Sequence, residues 1–200
     1  KKALELGAVP QAASKAARAL EKLTPVKDDL VIVTCAGDMG ETVAKRFDFD
    51  TEIVYRPGAS PAAPPATGSE DTRAARAIAD RGGELLLFAG GDGTARDVFE
   101  AVGNEQVVLG IPAGVKIHSP VYANSPARAG ELALRFLTEG NVPVGEREVV
   151  DIDEDAVRRD VLQTSLYGYL KVPLDETYMQ NPKAPTPVTE EAAQRGIAED

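Results

Sequence analysis

The sequence contains one cysteine, one histidine, no tryptophan and two methionines among 200 residues. Cys35 alone makes no intramolecular bridge, so a disulfide scaffold is excluded and a reducing, cytoplasmic compartment is the expectation. His118 is the sole histidine, and no Cys/His set for a structural zinc exists. Basic residues are outnumbered, 22 against 32 acidic, for a formal net charge of −10. That deficit argues against an electrostatic grip on DNA, RNA or an anionic membrane surface. No stretch approaches the ~18 consecutive apolar residues of a membrane helix, and the N-terminus lacks the apolar core of a secretory signal.

What is present is an ordinary globular balance, 43% hydrophobic and 27% charged. Ala13, Ala16, Ala17, Leu20 and Leu23 recur at helical spacing after Pro10. Residues 29–34 (DLVIVT) form a short apolar run that ends in a glycine turn, as a buried strand does. A short helix over 40–47 and a second strand over 51–56 follow. Residues 57–68 (PGASPAAPPATG) hold four prolines and predict a loop, either a plain connection or a wall beside a ligand. A helix over 69–81 with Ser69 as N-cap comes next. The apolar strand 84–89 leads to Gly90-Gly91-Asp92-Gly93-Thr94, a helix over 95–102 and a strand over 107–111. Strands alternating with helices at this spacing predict a parallel, three-layer α/β sheet that binds ligands at one strand edge.

Pro126–Glu139 reads as a further helix stopped by Gly140. Beyond it, 144–152 and 161–172 read as antiparallel strands of a β-rich region, so an α/β nucleotide-binding domain over 1–142 and an incomplete β-rich domain over 143–200 are expected. The chain opens at Lys1 without methionine and ends in an unfinished helical pattern over 189–200, which raises the expectation of a longer parent protein.

The chemistry concentrates at residues 86–97. Three glycines in four positions let a phosphate or ribose approach the main chain where it turns sharply. Thr94 as N-cap with Asp97 three residues on would complete a capping box, leaving the first helical amides and the helix dipole aimed at the strand edge as an anion site. Asp92, a carboxylate among glycines, suits binding a divalent ion or taking a proton from an attacking hydroxyl. An ordinary βα turn is the alternative.

GGDGT after an apolar strand is shared by NAD kinases, diacylglycerol and sphingoid kinases and, in variant form, phosphofructokinases. With Gly7-Ala8-Val9-Pro10, Asp71-Thr72-Arg73, the GxPAGVKxHS run at 110–119, Asp151-Ile152-Asp153-Glu154 and Leu166-Tyr167-Gly168-Tyr169-Leu170, the chain resembles the ATP-NAD kinase-like family that includes the acetoin-catabolism X proteins. The resemblance implies phosphoryl transfer from ATP or polyphosphate to the adenosine-ribose 2′-hydroxyl of NAD, with magnesium. It implies Asp92 as the catalytic carboxylate, with Gly90, Gly91, Gly93 and Thr94 cradling the nucleotide. Two departures stand: the glycine-rich opening usual before the segment matching Lys1 is missing, and the chain stops where a substantial C-terminal portion of the family would continue. The nucleotide-gripping Asn-Glu pair that the family carries in its second domain is not carried over, because the sole such dipeptide, Asn104-Glu105, lies in the loop before a first-domain strand.

Lys116 and His118, at alternating positions of a loop on the same sheet edge, are candidates for phosphate contact, with Ser119 beside them. Arg73, Arg76 and Arg96 are further cationic candidates, although Arg76 four residues before Asp80 also suits a solvated helix pair. Asp71 and Thr72 either join the site or serve the helix start they occupy. Asp151, Asp153 and Asp155 alternate, as a metal cluster or a charged strand end would. Tyr167 and Tyr169 share a face, as core or interface residues or as a stacking platform. NAD and ATP are the expected small-molecule partners, with no nucleic acid, no membrane and a homo-oligomer as a family trait. A lipid or another small alcohol as acceptor, and a non-catalytic nucleotide-binding accessory role, are the alternative readings.

Overall fold

A computed structural model describes residues 11–58, 69–152 and 164–180. Most of the proline-rich stretch at 57–68, together with Asp153, Asp155 and the tail over 181–200, lies outside the described residues. Helix α1 (Ala12–Leu20) turns Ala17, Ala19 and Leu20 inward. It runs into a 3₁₀ segment, Glu21–Asp29, where Pro25 and the non-helical Val26 break the α pattern. Strand β1 (Val31–Cys35), the short α2 (Glu41–Lys45) and β2 (Asp50–Tyr55) follow, with β1 and β2 paired in parallel from Val31↔Asp50 to Cys35↔Tyr55. Helix α3 (Glu70–Arg81) starts at Ser69, whose hydroxyl accepts from the Thr72 amide at 3.1 Å.

Strand β3 (Leu86–Gly90), helix α4 (Asp92–Val102) and strand β4 (Val108–Pro112) repeat the unit, and β3 pairs with β4 in parallel from Leu86↔Val108 to Gly90↔Pro112. Gly90 and Pro112 therefore end side by side. The chain emerging from each forms a loop on the same edge, as a parallel crossover requires. Helix α5 (Pro126–Glu139) is capped by the Ser125 hydroxyl, with Pro126 at its first position and Gly140 left-handed at its end. It crosses α1 at backbone contact: a Cβ on Gly130 would lie 2.1 Å from the Ala19 carbonyl oxygen.

Strands β5 (Val144–Ile152) and β6 (Thr164–Pro173) form an antiparallel hairpin with a bulge between Val149 and Val150. Val149, Leu170 and Val172 of this hairpin are fully buried in the same contiguous core as β3, β4, α4 and α5. Bridges Val107↔Lys171 and Gly110↔Tyr122 align β6 and residues 121–123 along β4.

The mixed α/β character agrees with the sequence reading, but the expected continuous parallel sheet is divided. Among the described residues the strands form three two-stranded sheets, β1–β2, β3–β4 and β5–β6. A cleft of about 600 Å³ separates β1 from β3.

Candidate functional site

The turn after β3 is built around two carbonyls. The Gly90 oxygen accepts from the amides of Ala113 and Gly114, both at 2.9 Å, and the Gly91 oxygen accepts from the Tyr122 hydroxyl at 2.6 Å. The 113–119 loop thus lies directly on the glycine turn. A Cβ on Gly114 would stand 2.9 Å from the Gly91 Cα, and one on Gly90 would collide with the Thr94 side chain at 2.2 Å. The density of glycine here serves backbone-to-backbone contact as much as access for a ligand.

Asp92 is the first residue of α4 and is buried at 9% exposure. Its two carboxylate oxygens accept separate backbone amides, Oδ2 from His118 at 2.8 Å and Oδ1 from Ser119 at 2.9 Å. Two backbone donors of this kind fix the direction of the carboxylate. Each oxygen keeps a further lone pair for a hydroxyl or a cation.

The expected capping box does not form. Gly91, in extended conformation, occupies the N-cap position with no side-chain cap, and Thr94 lies inside the first turn, packed over Gly90. Asp97 instead accepts from the Ser69 hydroxyl at 2.7 Å, tying α4 to the start of α3. The helix begins a turn earlier than its residue propensities suggest, because the amides of the 113–119 loop satisfy Asp92 and free it from capping its own helix. The result still leaves the first amides of α4, those of Asp92, Gly93 and Thr94, without a side-chain cap at the strand edge.

Ser119 is fully buried and committed elsewhere: its hydroxyl donates to the Val150 carbonyl at 2.8 Å and accepts from the Val150 amide at 3.1 Å. Lys116 is exposed and adopts a left-handed backbone, φ 54°, at the crest of the loop, with no ion-pair partner among the described residues. His118 is half-buried and reaches the site through its main chain. Arg96 leans away from the turn, pairing with Asp151 at 3.1 Å and stacking 5.6 Å above the Tyr167 ring. It joins α4 to the β5–β6 hairpin.

Asp71 and Thr72 sit in the first turn of α3. Asp71 borders the cleft between β1 and β3, and its carboxyl is pushed above the ordinary aspartate range, by partial burial first and then by the carboxylates of Asp97 and Glu70. Arg73 is held by Glu70 and by the Tyr55 hydroxyl. Among the described residues no group of three or more His, Cys, Asp or Glu gathers as a metal site. No helix there is long and apolar enough to cross a membrane.

Sequence reasoning missed Tyr122. It is fully buried, packed edge-on against Phe88 at 5.3 Å, and burial followed by the nearby Asp92 carboxylate pushes its phenol well above the ordinary range, so it remains a hydrogen-bond donor. The available signal was Gly110 inside a strand, which marks a close approach: a Cβ there would lie 2.3 Å from the Tyr122 ring.

No curated protein and no solved structure matches the chain. One protein-family model does, that of the ATP-NAD kinase N-terminal domain, over residues 8–142. That span takes in both parallel strand pairs, the glycine turn, Asp92 and the loop that clamps it, and the chain therefore belongs to the NAD kinase family.

Proposed function

We propose that this chain is the nucleotide-binding part of a kinase that transfers a phosphoryl group from ATP, or from polyphosphate, to the 2′-hydroxyl of NAD. Its family supports a phosphotransferase acting on nucleotides. The observation that carries the finer reading is the double amide clamp on Asp92 beside an uncapped helix start. A carboxylate fixed in this way accepts the proton of a ribose hydroxyl in one direction only, while the free amides of α4 face the negative charge of the transferring group.

In the reaction the ribose oxygen bonds to the terminal phosphorus, the bridging oxygen departs with its electron pair on the nucleoside diphosphate, and the hydroxyl proton passes to Asp92. Gly90, Gly91 and Gly93 leave room for the nucleotide, Thr94 packs the turn, and the exposed Lys116 supplies the positive charge the acidic chain otherwise lacks. Magnesium fits as an ion carried largely by the substrate phosphates, since it needs only one or two protein carboxylates, and Asp92 is the one at hand. When bound it neutralises the phosphate charge. In this reading the α/β part over 1–142 binds nucleotide and the β-rich part from 143 onward forms the far wall and, through the exposed Leu166, Tyr167 and Tyr169, a contact between copies.

The test is NADP formation from NAD, magnesium and either donor, read with an NADP-specific dehydrogenase, for the parent and Asp92→Asn. NADP from the parent and a loss of about a hundredfold or more in kcat, with NAD still binding, is expected. Equal rates for the two proteins would remove Asp92 from the chemistry. NAD binding without NADP in the parent would favour another acceptor or an accessory role.

A further inference from the structure

A circuit of contacts leaves Asp92 and returns to the helix that Asp92 begins. The Asp92 Oδ1 oxygen accepts the Ser119 amide at 2.9 Å, and the Ser119 hydroxyl takes both main-chain groups of Val150. The next residue of β5, Asp151, accepts from the Arg96 guanidinium at 3.1 Å. Arg96 follows Asp92 by four residues, which places the two one turn apart on the same face of α4. The circuit is therefore closed, running from helix to loop to strand and back to the helix.

The hairpin is shaped to keep it closed. Pairing passes from Val149↔Gly168 to Val150↔Leu166, so Tyr167 is the extra residue of β6. A bulge re-aims its side chain, and the Tyr167 ring stands 5.6 Å from the Arg96 guanidinium. Next to it Gly168 lies flat on α4, where a Cβ would come within 2.2 Å of Phe99 Cζ. Arg96 is thus gripped by an acid of β5 and a ring of β6. Its contacts to Asp97 at 3.9 Å and Glu100 at 4.0 Å are longer and stay on its own helix. An ion pair with an arginine 36% exposed contributes little to stability by itself. Its effect is geometric: it fixes the hairpin against α4 and, through Val150 and Ser119, the place of one amide on Asp92.

With Asp92 read as the proton acceptor of the proposed kinase, on which this rests, we propose that Arg96 is a positioning residue, which by docking on Asp151 and Tyr167 locks the β5–β6 hairpin to α4 and so holds the direction of the Asp92 carboxylate. Loss of such a residue lowers kcat and spares KM, whereas loss of a phosphate ligand raises KM for the donor. Arg96 and Asp151 have opposite charges but serve one contact, so neutralising either acts in the same sense. A role through charge alone at an anion site would give opposite senses.

The test combines NADP formation with amide hydrogen exchange, the latter read without substrate, in the parent, Arg96→Gln, Arg96→Lys, Asp151→Asn and the double variant Arg96→Gln/Asp151→Asn. In each neutral single variant kcat is expected to fall about fivefold to tenfold with KM within about twofold of the parent. Arg96→Lys, which keeps the charge, recovers most of the loss, and the double variant is no slower than either single one. The Ser119 and Val150 amides exchange about tenfold faster in the same neutral variants, with the β1 amides unchanged. Asp151→Asn breaks the same contact and decides the matter if Arg96→Gln folds poorly. Parental exchange at Ser119 in the folded variants overturns the inference, as does a raised KM for ATP at unchanged kcat or an Asp151→Asn protein faster than the parent. A parent that forms no NADP overturns the kinase reading alone, because accelerated exchange at Ser119 would still show that Arg96 holds the amide on Asp92.

Discussion

Gly110→Ala places a methyl group where the structure has none to spare. Its Cβ would sit 2.3 Å from Cδ1 and 2.6 Å from Cε1 of Tyr122, well inside the ~3.5–4.0 Å of a normal carbon contact. The ring has little room to retreat, because it is fully buried, set edge-on to Phe88 and anchored through its hydroxyl to Gly91. Overpacking of a core by one carbon costs about 1–3 kcal/mol, and displacing the ring sacrifices the hydroxyl bond for about 0.5–1.5 kcal/mol more. The expected loss is about 2–4 kcal/mol, read as a lower urea midpoint with an unchanged slope. Because the displaced hydroxyl releases the Gly91 carbonyl, nucleotide affinity falls with stability. Tyr122→Phe separates the two effects by removing the hydroxyl and keeping the ring, and Gly110→Ala added to it should cost less than in the parent. A Gly110→Ala protein within about 0.5 kcal/mol of the parent would refute the packing of Tyr122 over β4.

Ser119→Ala leaves the Val150 amide and carbonyl without their partner and should destabilise by about 1–3 kcal/mol, with faster exchange at Val150 as its local signature. Lys116→Gly relieves a left-handed backbone that costs about 1 kcal/mol in a residue with a Cβ, so the variant should melt higher while its KM for nucleotide rises; a lower melting temperature would contradict the loop geometry. The Cys35 thiol is pushed up to about 11 from 9.0, by burial first and then by the Asp71 carboxylate. A raised pKa favours the protonated folded form, so this contribution is whole below pH 9, declines as pH rises from about 9 to about 11, and should vanish from the pH–stability profile of Cys35→Ala.

The strands, helices α3 and α5 and the glycine turn were legible because each rests on a local pattern, such as the apolar run before Gly90 or Ser69 at a helix start. The partition of the sheet was not, since periodicity reports which segments extend and not which edges meet. The same holds within the site. Asp92 stands out in the sequence as a carboxylate among glycines, but its two donors lie 26 and 27 residues away, at His118 and Ser119. Arg96 reads as a phosphate ligand from its position after the turn, and only the packing of the hairpin on α4 gives it Asp151 and Tyr167 instead. Thr94 misled for the opposite reason: its propensity as a cap is real, but Gly91 can adopt the required extended conformation and Asp92 is satisfied from outside the helix.

The bulge of the hairpin, where Tyr167 of β6 is skipped between the pairs Val149↔Gly168 and Val150↔Leu166, bears on how the hairpin meets other chains. At Val150 the strand steps out of register with β6, and both of its main-chain groups are taken by one hydroxyl, that of Ser119. A single side chain there acts as one rung of a ladder whose second rail is absent. The rim of the hairpin is sealed at that point against recruitment of a stray extended segment, which is how a short exposed strand avoids seeding aggregation. Since the Ser119 amide also grips Asp92, the residue that seals the rim is the one that holds the Asp92 carboxylate, and a lesion in either duty would surface in the other.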